Sequence, residues 1–219
     1  RVLFRSLWNF YGQTEMAPLA TVLKPEDQLP RRGSAGRPAI NVETRVVDDD
    51  DRPVAVGEVG EIVHRSPHLM LGYYRDPAKT AEAFRNGWFH SGDLGRFDED
   101  GYLYLVDRKK DMIKSGGENV ASRDVEEVLF LHPDILEAAV FGIPDEKWIE
   151  AVTAVIVPRP GTVIEIEAIH AHCRTHLAGF KCPKSIHLAE SLPKNASGKI
   201  LKREIRARFA DGNSPAANA

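Results

Sequence analysis

The stretch Tyr102-Leu103-Tyr104-Leu105-Val106-Asp107-Arg108-Lys109-Lys110-Asp111-Met112-Ile113-Lys114-Ser115-Gly116-Gly117-Glu118-Asn119-Val120 divides the chain. It reads as a strand, a charged break, a second strand and a glycine loop, which is the pattern of a hinge between domains. Before it, from Gly33 to Val106, short strand-like runs alternate with turns. Strands are expected over 41–47, 58–65 and 102–106 and a helix over 77–84, giving a small, mostly β subdomain. After Lys110 strands alternate with helices. Ser122 is placed to cap a helix whose Val125, Val128, Leu129 and His132 share a face, and strands follow over 138–143 and 151–157. A helix over 165–177, a strand over 185–188 and a helix over 201–209 complete an α+β domain of ordinary size. The expected fold class is therefore α+β: residues 1–109 hold the β subdomain, 110–210 a compact mobile C-terminal domain, and 211–219 a disordered tail.

Close to the C-terminus, Leu192-Pro193-Lys194-Asn195-Ala196-Ser197-Gly198-Lys199-Ile200 mounts a lysine on a turn-rich loop. Pro193, Asn195, Ser197 and Gly198 favour turns or unusual backbone angles, so the loop can project the Lys199 ammonium away from its own domain toward an anion. A Gly-Lys corner alone is more often merely solvated. Two upstream clusters change the balance. Asn9-Phe10-Tyr11-Gly12-Gln13-Thr14-Glu15 is an aromatic run that breaks at glycine and then presents a hydroxyl and a carboxylate. Gly12 lets the backbone approach a ligand, Thr14 can bond a phosphate oxygen, and Glu15 offers the hard oxygen that Mg²⁺ requires. Gly87-Trp88-Phe89-His90-Ser91-Gly92-Asp93-Leu94-Gly95 again sets one acid after an aromatic run and a glycine. A carboxylate there suits a vicinal diol such as a ribose, although a loop Asp more often caps a turn.

These blocks, in this order, resemble the AMP-forming adenylate synthetases, the superfamily of acyl-CoA synthetases, luciferases and peptide-synthetase adenylation domains. The resemblance runs from about Leu7 to about Arg206. It implies that Asp93 and Arg108 bind the ribose, that Tyr11 stacks near adenine beside Gly12, and that Thr14 and Glu15 contact phosphate and Mg²⁺. It also implies that Lys199 serves the adenylation step and that Lys110 is the hinge position. The implied cofactors are ATP, Mg²⁺ and CoA as co-substrate. The Gly116-Gly117-Glu118-Asn119 loop would pass the pantetheine arm, with Trp148 and Phe180 flanking CoA; Cys182 stands where some relatives carry a basic residue. The wording of the 107–111 and 115–119 stretches favours an acyl-CoA synthetase, and a fatty acid is the expected carboxylic acid. The alternatives are an adenylation domain loading a carrier protein and a non-catalytic nucleotide- or partner-binding module. The superfamily's Ser/Thr/Gly-rich phosphate loop is not found upstream of Tyr11. The chain is therefore expected to be the C-terminal portion of a larger enzyme, inactive in isolation and partnered by its missing N-terminal part.

Composition narrows the field further. A net charge of −3 and 42% hydrophobic residues give no blanket electrostatic reason to expect nucleic acid, while peripheral membrane contact stays compatible. No apolar run approaches the roughly 20 residues of a spanning helix. Cys173 and Cys182 are too few for a disulfide scaffold, and reduced thiols point to the cytoplasm. In His170-Ala171-His172-Cys173-Arg174-Thr175-His176 the i,i+4 histidines have metal-ligand spacing, but Ile166, Ile169, Cys173 and Leu177 make a buried stripe that leaves His172 and His176 in solvent. The run Asp48-Asp49-Asp50-Asp51 is expected to be a solvated hairpin turn without chemistry. Oligomeric state is not legible.

Overall fold

The structure, a computed structural model, describes residues 6–210. The tail expected over 211–219 lies outside the described residues, as do the first five. The chain divides into two compact units, Arg1–Lys110 and Asp111–Ala219.

In the first unit the strands are β1 (Asn9–Tyr11), β2 (Thr21–Leu23), β3 (Ser34–Pro38), β4 (Glu43–Val47) and β5 (Gly60–Arg65). After helix α1 (Pro77–Ala83) come β6 (Phe84–Arg85), β7 (Trp88–Phe97) and β8 (Leu103–Arg108). They pair antiparallel in the order β1-β2-β3-β8-β7-β5-β4, with β6 beside β7. Helix α1 starts where local chemistry dictates: Asp76 accepts the Lys79 N–H at 2.9 Å and Pro77 fills the first turn. Ile62, Val46, Leu103 and Ala35 pack on one side of the sheet, and Phe89, Met16, Ala20 and Val42 form a second cluster.

Strand β7 is irregular where the chemistry is expected. Glu61 pairs with Leu94 and Val63 with His90, so Ser91, Gly92 and Asp93 stand opposite Ile62 alone. Extra residues on one strand bend it and re-aim a side chain, and here that side chain is Asp93.

The second unit holds β9 (Ile113–Ser115), β10 (Glu118–Val120), α2 (Ser122–Phe130), β11 (Ile135–Asp145), β12 (Ile149–Pro158), α3 (Ile166–His176), β13 (Ser185–Leu188) and α4 (Lys202–Ala210). The sheet order is β10-β9-β12-β11, with β13 parallel to β12. Val152, Ala154 and Ile156 face Val125 and Leu129 of α2 and Ile169 and Cys173 of α3; Val155 and Val157 face Leu192 and Ile205 on the other side. A strand covered on both faces reads as a continuous apolar run, which is why 151–157 shows no alternation. Among the described residues no helix is long and apolar enough to cross a membrane. The α+β architecture is as expected, with strands extending past the expected ends: β8 runs on to Arg108 and β11 to Asp145.

Two local expectations are corrected. Ser122 does not cap α2: Ala121 holds that position without a side-chain bond, and the buried Ser122 hydroxyl instead accepts the Lys202 ammonium at 2.7 Å. A charged donor from α4 outcompetes the local cap. His172 is not in solvent either. Its Nε2 lies 2.8 Å from the Val128 carbonyl oxygen and its ring stacks edge-on against His132 at 5.3 Å, which ties α3 to α2. The Asp48–Asp51 run is a turn, closed by Asp48 Oδ1 accepting the Asp50 and Arg52 N–H groups at 2.9 Å each. Those two bonds, Arg52 first, lower the Asp48 pKa. The turn is nevertheless not idle, because the Asp49 carboxylate meets the Lys109 ammonium at 2.9 Å.

Candidate active site

In the first unit Tyr11 and Arg108 meet at Asp93, while Thr14 and Glu15 stand apart from it. The Tyr11 hydroxyl donates to Asp93 Oδ2 at 2.7 Å and Gln13 Nε2 donates to the same oxygen at 2.9 Å. Arg108, directly opposite Asp93 across β7 and β8, brings its Nε within 3.6 Å of the other oxygen, Oδ1. Oδ2 is thus saturated by neutral donors while Oδ1 faces a cation. Burial, then the adjacent carboxylate, hold the Tyr11 phenol well above its ordinary value, so it remains a donor at any working pH.

Three strands contribute to this arrangement. Tyr11 ends β1, and Gly12 turns the chain so tightly that a Cβ on it would lie 1.5 Å from the Pro18 carbonyl oxygen, a spacing no other residue tolerates. The turn carries Gln13 to the bulge, where its amide also donates to the Ser91 carbonyl at 2.9 Å. Ser91 pins the bulge from below: its hydroxyl donates to the Ile62 carbonyl at 2.6 Å and accepts the Asp93 N–H at 3.1 Å. Gln13 and Ser91 were not singled out from the sequence. Gln13 is the variable position of the Tyr-Gly-x-Thr-Glu pattern, and its amide donor type is the only sequence signal it offers.

Thr14 and Glu15 follow in a short 3-10 turn, Thr14 exposed and Glu15 half-buried. Glu15 Oε1 accepts the Tyr73 hydroxyl at 3.0 Å, and its carbonyl accepts the Met70 N–H at 2.8 Å. These bonds tie Glu15 to the segment before α1; burial, then the Glu15 carboxylate, push the Tyr73 phenol upward. Among the described residues no group of three or more His, Cys, Asp or Glu side chains could hold a metal ion, and this includes the histidines of α3. The single Glu15 carboxylate still suits Mg²⁺, which binds through one or two carboxylates together with substrate phosphates.

In the second unit, Gly116 and Gly117 close the β9–β10 hairpin with φ of +62° and +87°. The Gly116 N–H donates to the Trp148 carbonyl at 2.7 Å, and a Cβ at Gly116 would come within 3.2 Å of the Trp148 ring. Asp145 Oδ1 accepts the Lys147 and Trp148 N–H groups at 2.8 and 2.9 Å and so fixes the indole beside the hairpin. Lys147 and Lys184 place ammonium groups 5.0 and 4.5 Å from the ring centroid. Cys182 is buried and its thiol points at the Ala178 carbonyl at 3.7 Å.

Lys199 sits on a loop closed by pairing of Lys194 with Ile200. Asn195 organises it: its Oδ1 accepts the Ser197 N–H at 3.1 Å and the Lys199 N–H at 2.9 Å, while its own N–H donates to the Lys199 carbonyl at 2.9 Å. The backbone of Lys199 is therefore fixed and its side chain exposed. Lys110 is exposed at the last position of the first unit.

The description "AMP-binding enzyme" matches residues 1–74, and "AMP-binding enzyme C-terminal domain" matches residues 124–199. The chain belongs to the AMP-binding enzyme family. Within that family of adenylate-forming enzymes it is 47% identical over 199 residues to a feruloyl-CoA synthase of Amycolatopsis sp, covering 91% of this chain and 40% of the relative. It is 44% identical over 196 residues to a long-chain-fatty-acid–CoA ligase of Salmonella typhimurium, covering 90% of this chain and 35% of the relative. An o-succinylbenzoate CoA synthetase of Bacillus subtilis, solved with its acyl-adenylate intermediate, superposes with a TM-score of 0.87 at 34% identity, covering 92% of this chain and 41% of that one. The chain thus spans about 40% of the length of the AMP-binding enzymes it matches.

Proposed function

We propose that this chain is part of an AMP-forming acid–CoA ligase, in which the Asp93 cluster receives the nucleotide and the Lys199 loop supplies the cation for adenylation. One observation carries the reading: a half-buried carboxylate held by Tyr11, Gln13 and Arg108, with one oxygen saturated by neutral donors and the other turned to a guanidinium. The Oδ1 of such a carboxylate is held in advance in position to accept a ribose hydroxyl.

The reaction proposed is activation of a carboxylate by ATP. A carboxylate oxygen attacks the α-phosphorus, the bond to the bridging oxygen breaks and pyrophosphate leaves. Asp93 and Arg108 orient the ribose, Tyr11 borders the base beside the Gly12 turn, and the Thr14 hydroxyl bonds a phosphate oxygen. The Lys199 ammonium neutralises charge on the phosphate as it accumulates. Glu15 would hold Mg²⁺, which when bound supplies further charge neutralisation at the phosphates.

In the second half-reaction a thiol sulfur attacks the acyl carbonyl of the adenylate, the thiol proton is released and AMP departs. The thiol proposed is CoA. Lys199 must first withdraw, and a rotation of the second unit about Lys110 would replace it with the Gly116–Gly117 hairpin. Gly117 is compatible with this role, since nothing lies within 4 Å of where its Cβ would be.

The acid proposed is a fatty acid. Ferulate and o-succinylbenzoate, named by relatives at comparable identity, are its direct competitors. The test is AMP production from ATP by the natural polypeptide carrying these residues, with each acid, and with CoA, a phosphopantetheinyl carrier protein or no acceptor. Acid-dependent AMP release accompanied by a CoA thioester is expected. Acid-dependent AMP release with acyl transfer only to the carrier would move the protein to the carrier-loading class. ATP binding without acid-dependent turnover would leave a binding module.

A further inference from the structure

Outside the cluster just described, one buried acid touches two of its working parts. Glu61, on β5, has a side chain only 7% exposed. Its Oε1 accepts the Gly92 N–H at 3.3 Å, immediately before Asp93 in the bulge. Its Oε2 accepts the Lys109 ammonium at 3.0 Å, immediately before Lys110. His90 Nδ1 lies 3.3 Å and Arg85 Nη2 3.7 Å from the same Oε2. A buried carboxylate is costly unless its oxygens are satisfied, and both of these are.

The surroundings make the arrangement specific. Residues 60–64 are all buried, and Glu61 is the one acid among them. Gly92 adopts a φ of +70°, and its N–H points at Glu61 rather than joining the β5–β7 ladder. Lys109 is shared with Asp49 at 2.9 Å, but Asp49 is 92% exposed and a weak anchor, which leaves Glu61 as the firm one.

We propose that Glu61 is a positioning residue, one carboxylate that fixes both the Asp93-bearing bulge and the root of the pivot at Lys110. The inference rests on the ligase reading and adds a residue and a coupling to it. Oε1 sets where Asp93 meets the ribose. Oε2 holds Lys109 to the first unit, so that rotation begins at Lys110 and no earlier. Nucleotide affinity and the domain exchange between half-reactions are thereby tied to the same side chain.

The experiment uses the natural polypeptide carrying these residues, unsubstituted and as Glu61→Gln, Glu61→Asp and Lys109→Met. The measurements are KM for ATP in acid-dependent pyrophosphate exchange, the rate of CoA thioester formation, and amide hydrogen exchange along β5, β7 and residues 109–111. Glutamine keeps the shape but can accept from only one of the two donors, so Glu61→Gln is expected to raise KM for ATP about tenfold and to slow thioester formation by a similar factor. Lys109→Met is expected to slow thioester formation while leaving KM for ATP within about twofold. Glu61→Asp restores part of both. Amide exchange is expected to accelerate at residues 91–93 and 109–111 only. Unchanged kinetics in Glu61→Gln overturn the proposal, as does faster exchange throughout the sheet with a matching loss of thermal stability, which marks a purely structural acid. An unsubstituted protein without acid-dependent exchange overturns the ligase reading and this inference together, an outcome separate from the other two.

Discussion

Asp93 and Lys199 are the two ends of the proposed chemistry and are held in opposite ways. Asp93 is 15% exposed and lies in a strand bulge, braced by Tyr11, Gln13, Ser91 and a cross-strand arginine. Lys199 is exposed at the end of a turn-rich loop whose backbone Asn195 organises through its side chain and its own N–H. The first arrangement suits a receptor that must not reorganise when a ribose arrives; the second suits a reagent that reaches an anion and then leaves. The contrast teaches that rigidity belongs where binding is decided and reach where charge is delivered.

Breaking the reagent should have the largest effect. Lys199→Ala removes the ammonium proposed to meet the phosphate, and adenylation, followed by pyrophosphate exchange, is expected to fall about 100- to 1,000-fold while KM for ATP changes little. Breaking the receptor should act on binding instead. Asp93→Ala leaves the Tyr11, Gln13 and Arg108 donors without their acceptor, so ATP affinity by calorimetry should weaken about 10- to 100-fold. A loss confined to kcat would contradict the receptor assignment.

Asn195→Ala probes the middle ground. It deletes the acceptor shared by the Ser197 and Lys199 N–H groups but keeps the ammonium, so pyrophosphate exchange should slow only severalfold, exposed hydrogen bonds being worth roughly 1 kcal/mol or less each. An effect as large as that of Lys199→Ala would mean that the loop is rigid in use and would erase the contrast.

The last effect concerns stability alone and leaves the chemistry near neutral pH untouched. His64, fully buried on strand β5 with Nδ1 3.1 Å from the Thr44 hydroxyl, has its pKa lowered by burial from 6.5 to about 4. A histidine whose folded pKa is depressed stays neutral in the native state while the unfolded chain takes up a proton. Stability is therefore intact above pH 6.5 and lost progressively as the pH falls from 6.5 to about 4, by at most on the order of 3 kcal/mol. Thermal melts of His64→Leu should lose that slope between pH 6.5 and 4, whatever its absolute stability; an unchanged slope would show that His64 is not its source.

Much of this was legible in the sequence because it is local. The switch from strand-and-turn to alternating strands and helices around Lys110 is written in hydrophobic period, and the Asx, proline and glycine signals at Asp76, Pro77 and Asn195 act within four residues. What escaped is non-local. Glu61 reads as one residue of a strand, and nothing in its own neighbourhood says that it faces the bulge of β7 or the lysine after β8. Ser91 and Gln13 acquire meaning only once the fold brings the turn after β1 and strand β5 to the bulge of β7. Ser122 failed as a cap because an ammonium 80 residues away competes for its hydroxyl, a contest that no local rule scores. His172 likewise found its partner across the gap to α2.

The central claim is that one site receives and another site comes and goes. Its most direct test is to give Lys199→Ala a preformed acyl-adenylate and CoA and to measure thioester formation in a single turnover. The account predicts a rate within a few-fold of the unsubstituted protein, because the lysine is not needed once the adenylate exists. A collapse of this half-reaction matching the collapse of adenylation would contradict it and make Lys199 a fixed part of the receptor.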